Sequence, residues 1–304
     1  MITEGLLLRH CQGQRMFRDA ALIDVAQDHA LHLLREAGLF DLGLVFKGGT
    51  ALRKFRLGTV GRFSTDLDFA VGEQGLAELV FEHLHEASVD GFTFTVEPIV
   101  AARRARLHIT STLGSPRIPA RIDVSYELPW MPAEIISPVS LPIHRAYSIP
   151  LRPTAVIRVE ELLAEKLARY RRDSLARDLY DLAWFSSRKF DETLVRRLAV
   201  LKIWRDVNTH GLGKGPFDPE EILRPRSGKE FQEEAIGFLT SPVDIAGWIE
   251  AIRKRYAFLR DVDDVERGLL SCNPRDGWTV QTLIAEHGTA ALGTAASASR
   301  STGI

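Results

Sequence analysis

LVFKGGTALRKFRLGTVGRFSTDLDFAV, Leu44 to Val71, holds three chemically distinct devices in one short run of chain. Leu44-Val45-Phe46 is an apolar run short enough for a buried strand, Gly48-Gly49 follows it, and Thr50 to Phe55 reads as the start of a helix. Strand, glycines and helix make a phosphate-binding geometry: glycine puts no Cβ between backbone and ligand, and unpaired N–H groups at the helix start face an anion. A Gly-Gly pair alone is equally an ordinary tight turn. Further on, Ser64-Thr65-Asp66-Leu67-Asp68-Phe69-Ala70-Val71 alternates, so Leu67, Phe69 and Val71 share one strand face and Asp66 and Asp68 the other. Two carboxylates projecting together repel, and a hard divalent cation such as Mg2+ relieves the repulsion. The bland alternative is a solvated strand face. Because Gly49 precedes Asp66 by only seventeen residues, cradle and cation point to a single ligand, a nucleoside triphosphate.

Outward from this stretch, Phe17 to Glu36 carries Leu22, Val25, Ala26, His29 and Leu33 at the spacing of an amphipathic helix. His29 and His32 lie in it without companion ligands, so packing accounts for them. After the Asp-x-Asp strand come a helix over Leu76 to Ala87 and three strands centred on Phe92 to Val96, Arg106 to Thr110 and Arg121 to Tyr126, an antiparallel meander. In the last strand Ile122, Val124 and Tyr126 share one face and leave Asp123 on the other, beside Arg121. Prolines at 129, 132, 138, 142, 150 and 153 make the next segment an extended connection.

Helical spacing then takes over in Val159 to Tyr170 and Leu175 to Phe185, with a break at Arg171-Arg172-Asp173-Ser174 where Asp173 or Ser174 suits the cap of the second helix. Lys166 and Asp181 are fifteen residues apart, more than ~20 Å along one continuous helix. A turn near Asp173 sets them level. The composition-only reading of these charges is a helix salt-bridge lattice, Arg177 to Asp181 included. Further helices are expected over Leu194 to Val200, Glu230 to Leu239 and Val243 to Leu259, with a loop from His210 to Pro225 and a disordered tail from Gly288.

Composition bounds the class. Of 304 residues 45% are hydrophobic and 26% charged, an ordinary soluble profile. Lys plus Arg at 39 against Asp plus Glu at 40 leaves a net charge of −1, so a nucleic-acid surface has to be a local patch. Two candidates are Arg169, Arg171, Arg172 and Arg177 on the helices, and Arg103, Arg104 and Arg106 on the strands. Cys11 and Cys272 have no metal-type spacing and imply free thiols. No run of eighteen apolar residues suggests a membrane span, and the first ten residues lack the pattern of a signal peptide, so a cytoplasmic protein is expected.

The strings Gly48-Gly49-Thr50-Ala51-Leu52 and Arg62-Phe63-Ser64-Thr65-Asp66-Leu67-Asp68-Phe69 resemble the first motif of the AbiEii/AbiGii toxin family, the MenT-type nucleotidyltransferases. Glu165-Lys166-Leu167 and Arg177-Asp178-Leu179-Tyr180-Asp181-Leu182 resemble its second and third motifs, in order. The resemblance implies an α/β (α+β) fold: a mixed-sheet nucleotidyltransferase domain at 1–150, a mostly helical domain at 151–287 that completes the active site, and the tail 288–304. It implies Asp66, Asp68, Lys166 and Asp181 as catalytic, one or two Mg2+ ions on Asp66, Asp68 and Asp123, and the triphosphate or its sugar on Gly48, Gly49, Thr50, Ser64, Lys166 and Asp178. A plain strand-face acid paired with Arg121 is the alternative for Asp123. Further implied are an RNA acceptor, the 3′ end of tRNA, whose extension blocks aminoacylation and translation, a cognate antitoxin, and silencing by phosphorylation at Ser64. Rival functions are a nucleotide-sugar glycosyltransferase, a small-molecule (antibiotic-type) nucleotidyltransferase and a catalytically inactive nucleotide-binding module.

Overall fold

A computed structural model describes residues 1–101 and 103–298. The chain forms two compact units. Met1–Pro129, Ala133–Ile157 and Gly237–Pro242 make the first, and Trp130–Pro132, Arg158–Ile236 and the chain from Val243 onward make the second.

In the first unit α1 (Glu4–His10) and α2 (Arg18–Glu36) precede β1 (Val45–Lys47), which runs into the short α3 (Gly48–Leu52) and a π-helical turn over Arg53–Leu57. There follow β2 (Asp66–Ala70), α4 (Gln74–Leu84), β3 (Ser88–Val89), β4 (Phe92–Val100), β5 (Arg104–Ser111), β6 (Ala120–Ser125), β7 (Glu134–Ile136) and β8 (Thr154–Val156). The eight strands form one mixed sheet in the order β3-β4-β5-β6-β2-β1-β8-β7. β4 to β6 form the expected antiparallel meander, to which β3 adds a short antiparallel strand, while β6 lies parallel to β2, and β1 is antiparallel to β2 and parallel to β8. The proline-rich segment is thus less featureless than its composition suggests, because β7 forms between Pro132 and Pro138 where no proline interrupts the ladder.

Alternation decides the faces. Phe46, Leu67, Phe69, Phe94, Leu107, Ile109 and Ile122 are all buried, and α2 and α4 pack on the meander. The opposite face carries the charged residues. His29 belongs to the core: its Nδ1 lies 2.9 Å from the Val25 carbonyl and its Nε2 3.2 Å from Asp90.

The second unit is helical: α5 (Val159–Asp173), α6 (Ala176–Phe185), α7 (Glu192–Asn208), α8 (Glu220–Leu223), α9 (Ile245–Arg255), α10 (Asp264–Leu269) and α11 (Gly277–Ala298). Trp130–Pro132 belongs here because Glu161 accepts hydrogen bonds from the Trp130 and Met131 amides at 2.8 and 2.9 Å and Lys202 sits 3.9 Å from the Trp130 ring.

Three expectations are corrected. The helix anticipated over Glu230–Leu239 breaks into 3-10 turns, since Gly237 adopts φ +94° and Phe238 forms a β-bridge with Phe63, drawing Gly237–Pro242 into the first unit. The α5–α6 junction uses neither Asp173 nor Ser174 as an N-cap: Ser174 closes α5 in the left-handed region at φ +45°, and Leu175 precedes α6 without a side-chain cap. The tail from Gly288 continues α11 as far as Ala298, consistent with the helix propensity of its alanines. Residues 299–304 lie outside the described residues.

Candidate active site

The charged face of the sheet is organised in rows across the strands. Register places Lys47 of β1 opposite Asp68 of β2, Asp68 beside Asp123 of β6, and Asp123 opposite Arg104 of β5. A second row runs Asp66, Arg121, Arg106, Glu97 through β2, β6, β5 and β4. Each row therefore sets two like charges side by side at its centre, an arrangement that costs stability unless an opposite charge joins it.

In the first row the central pair is acidic. Arg104 Nε donates to Asp123 Oδ1 at 2.5 Å, and that hydrogen bond, followed by the charges of Asp123, Asp66 and Asp68, holds its guanidinium protonated above the ordinary arginine range. All three carboxylates thus contribute to one negative field. Among the described residues, however, no three acidic, histidine or cysteine side chains form a ready-made metal cage. Asp123 is turned to Arg104 and not to Arg121, the alternative partner. Asp66 and Asp68 fit a cation of the Mg2+ kind without such a cage, since that ion is commonly bound by one or two carboxylates plus substrate phosphates and water.

The glycines are shaped to this pair. Gly48 adopts φ +77°, and a Cβ built there would lie 1.9 Å from Asp68 Oδ2, so the backbone turn is pressed against the carboxylate. A Cβ on Gly49 would lie 2.5 Å from Arg62 Nη2 and 3.3 Å from Ser64 Oγ, which brings a guanidinium and a hydroxyl to the same turn. Thr50 differs from expectation. It is fully buried and its Oγ1 donates to the Asp66 carbonyl at 2.5 Å, so its side chain fastens α3 to β2 and is not presented to a ligand.

In the helical unit the turn at Ser174 makes α5 and α6 an antiparallel hairpin. Lys166 Nζ donates to Asp181 Oδ2 at 2.6 Å and to Asp178 Oδ1 at 3.2 Å, and Arg169 grips Asp178 through Nε and Nη2 at 2.5 Å each. Lys166, Asp178 and Asp181 are all at most 2% exposed. A buried lysine facing two aspartates needs the second cation that Arg169 supplies. The basic patch anticipated on this hairpin is largely spent: besides Arg169, Arg171 pairs with Glu221 and Arg172 with Asp206.

Sequence reading missed Lys47, Arg62 and the part played by Arg104. Only Lys47 had a local signal, standing next to the glycines on the face opposite Phe46. Arg62 and Arg104 acquire their places from tertiary register.

Residues 32–279 match the family profile described as nucleotidyl transferase AbiEii toxin, Type IV TA system. Among solved structures the chain is similar to MenT4, a nucleotidyltransferase toxin from Mycobacterium tuberculosis H37Rv, at 44% identity and TM-score 0.88, covering 95% of this chain and 100% of that one. JHP933 from Helicobacter pylori is a more distant match at 14% identity and TM-score 0.42, covering 84% of this chain and 97% of that one. No curated protein matches.

Proposed function

The chain belongs to the AbiEii family of nucleotidyltransferase toxins of type IV toxin–antitoxin systems, and from that premise we propose that it transfers a nucleoside monophosphate from a nucleoside triphosphate to the 3′ end of an RNA, tRNA being the acceptor. The observation that carries this reading is the Gly48 turn pressed against Asp68 in a row of opposed carboxylates. A glycine forced by both φ and contact, beside acids, is what a phosphate–cation ligand requires.

The chemistry is a single displacement. The acceptor's terminal hydroxyl oxygen bonds to the α-phosphorus, the bond from that phosphorus to the α,β-bridging oxygen breaks, and pyrophosphate leaves. The Gly48–Gly49 turn, with Arg62 against Gly49 in space and Lys47 next to it in sequence, holds the phosphates; Asp66 and Asp68 form the negative pole toward which the hydroxyl gives up its proton. Asp66 and Asp68 would hold a divalent cation, which would neutralise the triphosphate's charge. What remains for the protein is positioning and fixed electrostatics. Extension of the acceptor end blocks aminoacylation, and a cognate antitoxin restrains the enzyme. No helix among the described residues is long and apolar enough to cross a membrane.

Incubation with each labelled triphosphate and total tRNA tests this reading. Label is expected in tRNA with one or a few nucleotides and is expected to vanish on chelation with EDTA. Binding of triphosphate without transfer to any RNA would overturn it, and label on a small molecule would assign the antibiotic-type chemistry instead.

Gly48→Ala is expected to lower the transfer rate about 100-fold, because a displacement of order 1 Å at the reacting groups has that effect. Its stability cost is at least about 1–2 kcal/mol for a left-handed alanine, to which the clash with Asp68 adds. Rate and thermal melting measured together check both numbers; unchanged turnover would mean that the turn does not touch the nucleotide.

A further inference from the structure

The second row of the charged face carries a feature that the nucleotide does not use. Arg121 and Arg106 are directly opposed across β6 and β5, both exposed, and among the described residues the Arg121 side chain has no hydrogen bond or ion pair. Among the described residues Arg106 reaches Glu97 alone, at 3.4 Å, and Glu97 is shared with His108 at 2.9 Å. Two guanidinium groups facing each other across a strand pair repel unless an anion lies between them. This pair stands apart from Arg104, which is occupied by Asp123.

Strand order fixes what that anion is. The Gly48–Gly49 turn leaves the end of β1, on one side of β2, whereas Arg121 and Arg106 lie on the other, one and two strands away from Asp66. Neighbouring strands are about 4.8 Å apart, so the pair spans roughly 5–10 Å from the carboxylates. The two sides of β2 thus present two separate anion-binding places, a backbone turn suited to a terminal polyphosphate and a guanidinium pair on an open, flat face. Arginine recognises phosphate oxygens through its planar fork.

The geometry points to Arg121 and Arg106 as the acceptor-strand site: they hold the phosphodiester of the last nucleotides of a single-stranded RNA 3′ end, delivering its terminal hydroxyl to the Asp66–Asp68 side of the sheet. This rests on the nucleotidyl-transfer reading above and adds which surface takes the second substrate. Charge complementarity and an open face favour a polyanion over an acidic protein segment, since a flat strand pair offers no pocket for side chains.

The test uses the full chain, total tRNA and the labelled triphosphate that wild type transfers best. In Arg106→Ala/Arg121→Ala the KM for tRNA is expected to rise about tenfold while the KM for the triphosphate is unchanged, and the slope of log affinity against log salt is expected to fall by about 1.4, the loss of two single-strand phosphate contacts. Arg106→Lys/Arg121→Lys should restore most of the salt slope. Both positions are exposed, so melting temperatures report directly that the variants fold. If wild type labels tRNA and the double variant keeps its tRNA KM and salt slope, the assignment of this surface is overturned while nucleotidyl transfer stands, and the arginine pair would then face a protein. If wild type labels no RNA under any salt condition, nucleotidyl transfer to RNA itself fails. A rise in the triphosphate KM instead would move the pair to the nucleotide site and also overturn the assignment.

Discussion

Asp68→Asn should abolish most transfer, lowering the rate about 10²–10³-fold, the effect of removing one fixed electrostatic group from a reacting centre. The same substitution should leave the protein about as stable as before. Asp68 has Lys47 on one neighbouring strand and Asp123 on the other, so the loss of an attraction is offset by the loss of a repulsion and the change is expected within about 1 kcal/mol. That separation is diagnostic. A structural aspartate would lose stability with its charge, whereas a carboxylate placed beside another for the sake of a ligand loses only function. Rates with saturating triphosphate and tRNA, with denaturant unfolding alongside, give the two readings. Near-wild-type turnover in Asp68→Asn would remove the centre from this face of the sheet, and a loss of several kcal/mol would make Asp68 a fold residue.

Much of this face is legible in sequence because burial imposes the period of two: Leu67 and Phe69 must go inward, so Asp66 and Asp68 go outward. What alternation does not give is register. That Asp68 comes level with Asp123, and Arg121 with Arg106, depends on β6 inserting beside β2 in parallel while pairing β5 in antiparallel. Reading along the chain therefore offers Arg121, two residues away, as the alternative partner of Asp123, when Arg104 faces it across the ladder. The α5–α6 hairpin was readable for the opposite reason. Helical period and one break suffice to set Lys166 level with Asp181, and the 2.6 Å contact follows. Thr50 shows another limit: next to glycines it looks like a ligand to phosphate, and only tertiary packing reveals that its hydroxyl is used by the Asp66 carbonyl. Glu230–Leu239 fails similarly, because its apolar periodicity is real and the bridge from Phe238 to Phe63 overrides it.

Asp24→Asn should be the most damaging substitution for stability, costing about 3–5 kcal/mol at neutral pH, since it leaves buried positive charge uncompensated. Asp24, 1% exposed on α2, accepts from Arg53 Nε at 2.9 Å, lies 2.7 Å from His10 Nε2, and receives Lys54 Nζ on its Oδ1 at 3.2 Å and on its carbonyl at 2.6 Å. Arg53 also donates to the Gly58 and Gly61 carbonyls, and Lys54 is shared with Asp28 at 2.8 Å, which in turn accepts the Tyr147 hydroxyl at 2.7 Å. These are the residues that follow the Gly48–Gly49 turn and the loop that leads into β2, so the network holds both ends of the nucleotide-side apparatus to α2. Against the 5–15 kcal/mol of a typical domain the loss is a large fraction. Acid should reproduce it. Burial pushes the Asp24 carboxyl up, but Arg53, Lys54 and His10 outweigh that and hold it well below the ordinary aspartate range; Asp28, with Lys54 and His144, is lowered too. The folded state thus binds these protons less readily than the unfolded chain. Their contribution is complete above the ordinary aspartate value of about 4 and is lost as pH falls through the lowered folded values. Denaturant unfolding at pH 7, 5 and 4 and below should therefore show wild type losing stability on the acid side of about pH 4 while Asp24→Asn, lower at pH 7, loses less, so that the two curves converge. Parallel curves, or a gap under about 1 kcal/mol at pH 7, would mean that the glycine turn is held by the apolar packing of Phe46 and Phe55 and not by this buried charge.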